Sequence, residues 1–123
     1  MLTSSNPGNG DTVAGLRING GATINLTAPI SGTYKGILIF QDRRATTMGD
    51  TLQLNGNSSS TLRGAVYAPR NEILMNGTTD MNTNCLQMVG YRLKFTGNSR
   101  ITNVCPLLSG SGAFKGNIVR LVG

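Results

Sequence analysis

A chain of 123 residues has room for one hydrophobic core but not for two, because a core built on half this length is marginal. Gly, Asn, Thr and Ser supply 53 of the residues, which excludes a mainly helical protein, while recurrent apolar triplets and only 13% charged residues exclude a disordered one. The formal charge of +6, from eleven bases against five acids, allows contact with acidic polymers, but the bases are scattered singly apart from Arg43 and Arg44.

Residues 1–12 are polar, with neither a basic flank nor an apolar stretch of signal-peptide type, and read as a flexible N-terminal segment or cap. A phrase of alternating apolar residues closed by glycine follows, Leu16-Arg-Ile18-Asn-Gly20. It recurs as Leu52-Gln-Leu54-Asn-Gly56, Ile73-Leu-Met75-Asn-Gly77 and Leu93-Lys-Phe95-Thr-Gly97. Alternation of period two reads as a half-buried strand and the closing Asn-Gly or Thr-Gly as a sharp turn. Thr23-Ile24-Asn-Leu26 and Arg100-Ile101-Thr-Asn-Val104 trail their glycines at similar distances. Later in each unit come Gly36-Ile-Leu-Ile-Phe40, Gly64-Ala-Val-Tyr67 and Cys85-Leu-Gln-Met-Val89, so each unit holds up to three short strands.

The last three glycines of the main phrase lie 21 and 20 residues apart, and the first interval is 36 because 31–51 contains additional chain. Three short strands in about 20 residues suit one coil of a right-handed parallel β-helix, whose coils stack ~4.8 Å apart. The expected fold is therefore all-β, a single solenoid over 13–123 closed by a capping strand near 113–122. The flexible Ser109-Gly-Ser-Gly112 before that strand lets it fold back. The alternative is a β-sandwich in which each Asn-Gly is a hairpin turn. After Gly56 and Gly77, however, no alternating strand follows.

Cys85 and Cys105 are the two cysteines, one repeat unit apart. There is no His and no C-x-x-C, so metal and thioredoxin-like roles are poor readings. Equivalent positions in adjacent coils fall within disulfide range, and a bridge there would staple two coils and imply an oxidising compartment. Two unrelated buried thiols are the plain alternative.

Ordered phrases resemble the C-terminal β-helical domain of TadG-like proteins of the tight-adherence (Flp) pilus assembly system. They are Ala28-Pro29, Gly32-Thr-Tyr34-Lys-Gly36-Ile-Leu-Ile-Phe40-Gln-Asp42-Arg43, Leu62-Arg-Gly64-Ala-Val-Tyr67-Ala-Pro69, Cys85-Leu-Gln87-Met-Val, Phe95-Thr-Gly97-Asn98, Cys105 and Val119-Arg-Leu121-Val122. The resemblance implies a bacterial, envelope-anchored accessory protein of pilus assembly and cell adhesion, with the domain in the periplasm or at the cell surface. Its partners would be pilus-assembly or envelope proteins, with the membrane reached only through an anchor outside this chain. It carries over no catalytic residues, cofactor or metal.

An enzyme is the sharpest alternative, since parallel β-helices host polysaccharide-cleaving activities that need clustered carboxylates. The acids here are Asp11, Asp42, Asp50, Glu72 and Asp80, none at a shared phrase position, and Arg43 and Arg44 next to Asp42 suggest a local ion pair instead. The expectation is a non-catalytic domain; a carbohydrate-binding or polysaccharide-processing module and a polyanion-binding surface domain are the alternatives. Candidate contact residues are Asp42, Arg43 and Arg44 on the 41–50 loop, which interrupts the repeat, and Tyr91, Arg92 and Lys94 in the last coil. Specific nucleic-acid binding by ring stacking has only Tyr91 and Phe95 to draw on among the bases, and Phe95 falls on the inward phase.

Overall fold

The computed structural model describes residues 1–3, 13, 15–44, 51–57, 59–77, 83 and 85–98. Six strands, β1 (Arg17–Ile18), β2 (Asn25–Thr27), β3 (Ile37–Phe40), β4 (Thr51–Leu54), β5 (Thr61–Gly77) and β6 (Leu86–Gly97), form one curled, open parallel sheet. No helix occurs among the described residues. Within the described residues the predicted strand phrases appear, but those expected as separate short strands run on into β5 and β6; the phrase at 100–104 lies outside the described residues. The capping strand expected near 113–122, Cys105, Asp50 and most of residues 1–12 lie outside the described residues.

Every strand pairing among the described residues is parallel. A parallel pair needs a long crossover rather than a tight hairpin, which the spacing of about 20 residues supplies. Among the described residues none of the four phrases therefore pairs as half of an Asn-Gly hairpin, and the antiparallel arrangement of a hairpin sandwich is not what these strands adopt. The register explains the repeat: Ile18 pairs with Leu54, Leu54 with Met75 and Met75 with Phe95. Leu52, Ile73 and Leu93 form a second column, and the closing Gly77 and Gly97 also fall opposite each other. Leu52, Leu54, Leu62, Val66, Ala68, Ile73 and Met75 are essentially inaccessible, and each of the larger side chains, Ala68 excepted, is worth ~1.5–3 kcal/mol of burial. On β6, Leu93 and Phe95 keep the same phase but are 43% and 47% exposed.

β5 is the key to the curl. Its first residues pair with β2, Ala65 to Tyr67 pair with β3, and Glu72 to Met75 pair with β4, while β6 runs along its other side. The first corner is at Gly64, where φ is +129°. A Cβ there would sit 2.5 Å from the Ala28 Cβ, so only glycine allows both the turn and the close approach. The chain also turns through positive φ at Gly36 (φ 78°), just before β3, and at Cys85 (φ 64°), just before β6 and one position ahead of the residue that faces Gly64. The residue that opens each of these three phrases in the sequence is thus the one with positive φ. The second corner is a bulge: between the pairs Ala68 with Gly90 and Glu72 with Arg92, three residues of β5 face only Tyr91. Pro69 sits in that bulge, where its missing N–H costs no ladder bond.

The extra chain is divided differently from the expectation. Thr27 and Phe40 are thirteen positions apart, yet their partners Arg63 and Tyr67 are four apart, so nine additional residues lie between β2 and β3. Phe40 and Leu52 are twelve apart against six for Tyr67 and Ile73, which leaves six additional residues for the 41–50 loop. The larger insertion, 28–36, is a closed loop, with the Ala28 N–H donating to the Arg63 carbonyl and the Gly36 N–H to the Pro29 carbonyl, each at 2.8 Å. At the N-terminus, Leu2 pairs in parallel with Gln41, so residues 1–3 lie along the free side of β3.

Candidate functional site

Strand phase puts Ile39 and Val66 inside the curl and their neighbours Phe40 and Tyr67 outside. Register then lines up Phe40, Tyr67 and Val89 as one outward row. The rings of Phe40 and Tyr67 stack, with centroids 5.5 Å apart and planes 14° from parallel. Tyr34, on the 28–36 insertion, leans against Phe40 at 6.0 Å. Beside this row runs a second outward row, Ile37, Ala65 and Gln87. The small Ala65 in its middle leaves a depression of about 400 Å3, walled by Ile37, Tyr67, Met88 and Val89 as well.

Across the ring stack lies a second depression of about 390 Å3, lined by Met1, Thr3, Tyr34, Phe40, Asp42, Arg43 and Arg44. Here β3 ends and the chain turns, which brings three of the expected contact residues together. Asp42 is nearly buried and takes a forked interaction from Arg44, with Nη2 to Oδ2 at 2.6 Å and Nε to Oδ1 at 3.0 Å. The Arg44 backbone N–H donates to Oδ1 at 2.9 Å and the Thr3 hydroxyl to Oδ2 at 3.1 Å. Hydrogen bonds from the Arg44 side chain and then its backbone hold the Asp42 carboxyl well below the usual carboxylate range, against the opposing effect of desolvation. The bond to Asp42 raises the Arg44 pKa in turn. Arg43 is exposed and has no acidic partner among the described residues, so the notch keeps a net positive charge.

Tyr91, Arg92 and Lys94 occupy β6 and do not join this notch. Tyr91 is 59% exposed opposite the β5 bulge. Arg92 forms an ion pair with the nearly buried Glu72 across the β5 and β6 pairing, so it stitches two strands rather than standing free. Lys94 is exposed beside Leu74. Both described acids, Asp42 and Glu72, are thus held by arginines. Among the described residues no group of three His, Cys, Asp or Glu could hold a metal. Cys85 is inaccessible and disulfide-bonded.

Sequence reasoning missed the Tyr34, Phe40, Tyr67 and Val89 strip. The signal was partial: the three later phrases end on Phe40, Tyr67 and Val89, but these lie four, three and four residues after Gly36, Gly64 and Cys85, so the row forms only through the register shift between Ile37 and Ile39 and the pairing of Gly64 with Leu86. Tyr34 escaped because the 28–36 insertion went uncounted, although Gly32 and Gly36 bracket it. No family model, curated protein sequence or solved structure matches the chain.

Proposed function

We propose that the curled sheet is part of a right-handed parallel β-helix and that the chain is a non-catalytic structural and adhesion module working outside the cytoplasm. The setting that fits best is the extracytoplasmic domain of an envelope-anchored accessory protein of tight-adherence pilus assembly, as the sequence resemblance implies. The observation that carries the scaffold reading is the in-register stacking of Ile18, Leu54, Met75 and Phe95 from four successive phrases. Right-handed crossovers are the rule for parallel strands. A disulfide at Cys85 favours an oxidising compartment. The phrases behind the resemblance supply Tyr34, Phe40, Asp42, Arg43 and Tyr67, which share one outward surface, as a module with a partner to meet would need. With Asp42 and Glu72 both engaged by arginines, acid–base cleavage of a polysaccharide has little to draw on among the described residues.

The test is photo-cross-linking in cells from position 34, run beside a polysaccharide-cleavage screen on the purified chain. Adducts with pilus-assembly or envelope proteins and no cleavage product are expected. Adducts confined to cytoplasmic proteins would overturn the location, and release of reducing ends would overturn the non-catalytic reading.

A further inference from the structure

We propose that the outward strip of Tyr34, Phe40, Tyr67 and Val89 docks an acidic polypeptide segment, an apolar side chain entering the depression over Ala65 and a carboxylate meeting Arg43. This deepens the adhesion-module reading by naming the chemistry of its partner. Two depressions of about 400 and 390 Å3, one lined by Tyr67 and the other by the Phe40 ring stacked on it, give one surface with an apolar half and a basic half. The charge argument is local. Asp42 is spent on Arg44, so the Arg43 guanidinium faces solvent without an acid beside it among the described residues. The whole chain, at +6, adds attraction of the same sign.

The geometry favours a polypeptide over an acidic sugar chain. Sugars bind aromatic residues through the ring faces, but Phe40 and Tyr67 each turn one face to the other at 14°, Tyr34 leans on Phe40, and the register sets Val89 beside Tyr67. The neighbouring depression is walled mainly by Ile37, Ala65, Met88 and Val89, with Gln87 and Tyr67 as its polar groups, so most hydroxyl groups of a sugar would lose water there without gaining a hydrogen bond. An aliphatic or aromatic side chain loses nothing there and gains contact area.

The experiment uses the full 123-residue chain with its disulfide intact and short dye-labelled peptides read by fluorescence anisotropy. One peptide alternates aspartate with phenylalanine, one aspartate with serine and one lysine with phenylalanine; polygalacturonate serves as competitor. Binding of the aspartate–phenylalanine peptide above both others is expected. Val89→Asp, at a 49% exposed position, should weaken it about tenfold. Arg43→Gln should weaken it about threefold at low salt, with the difference narrowing toward physiological salt. Circular dichroism checks that each variant is folded, and Val89→Ser replaces Val89→Asp if the latter is not. Equal binding of the aspartate–serine peptide, effective competition by polygalacturonate, an unchanged Val89 variant or no binding at all would each overturn the proposal. Loss of this binding with intact cross-links to envelope proteins sinks the surface alone; peptide binding without such cross-links sinks the envelope reading alone.

Discussion

Replacing Gly64 by alanine should be among the most damaging single-methyl additions in this protein. Two costs add at that position. The φ of +129° lies where L-residues rarely go, a strain of roughly 1–3 kcal/mol. The new Cβ would also lie 2.5 Å from the Ala28 Cβ, 3.1 Å from the Gly36 carbonyl oxygen and 3.2 Å from the Leu38 Cβ. None of these is the far end of a flexible side chain, so the backbone must move, at about 1–3 kcal/mol for overpacking. The expected loss is about 2–6 kcal/mol, a large share of the ~5–15 kcal/mol that holds a domain together. With no Trp in the chain, urea unfolding is best followed by far-ultraviolet circular dichroism, with the disulfide kept oxidised. Gly20→Ala is the control, since no atom lies within 4 Å of the methyl it would gain, and it should stay within about 0.5 kcal/mol. Adding Ala28→Gly to Gly64→Ala should recover the share of the clash that Ala28 causes and leave the contacts with Gly36 and Leu38 and the backbone strain, a coupling that a double-mutant cycle isolates. A loss below about 1 kcal/mol, or one equal to that of Gly20→Ala, would refute the corner assignment.

Met75→Asp should cost about 3–5 kcal/mol, since it replaces a fully buried thioether with an unpaired charge; a urea midpoint close to wild type would show that the inward columns are misassigned. The lowered pKa of Asp42 means that its contribution is complete above the unfolded carboxylate value of about 4 and is lost as pH falls from there toward the folded value. The melting-temperature gap between wild type and Asp42→Asn should therefore be constant near neutrality and shrink in acid, and a gap independent of pH would contradict it. Thiol labelling of the denatured, unreduced protein should find neither Cys85 nor Cys105 free, and labelling of both would dismiss the bridge between coils and its ~3 kcal/mol. Neutralising Arg43 and Arg44 together should lower the melting temperature because Asp42 loses its partner, whereas Arg43→Gln alone should not.

At the candidate site, residue type was a weaker guide than strand phase. Asp42 and Arg44 could be paired from sequence because they are two positions apart, and local chemistry needs no fold. Arg92 looked like a surface contact, yet its partner Glu72 is twenty positions away and meets it only through the register of β5 with β6. The ring strip likewise exists only once Phe40 and Tyr67 are laid side by side.

The alternation of apolar residues, the glycine closing each phrase and the interval of about 20 residues determined which residues face inward and which phrases stack. Those are consequences of period-two strands repeated at a fixed distance, so they survive without coordinates. Tertiary structure alone decided that phrases read as separate strands run on through β5 and β6, bending at Gly64 and at the bulge before Glu72 rather than breaking. A corner keeps its ladder when a left-handed glycine or an unpaired bulge absorbs the turn, and neither is announced by hydrophobic pattern. It also decided that the larger insertion is 28–36. Chain length can be counted from sequence, but its division between two sides of β3 depends on which residues of β5 each segment faces.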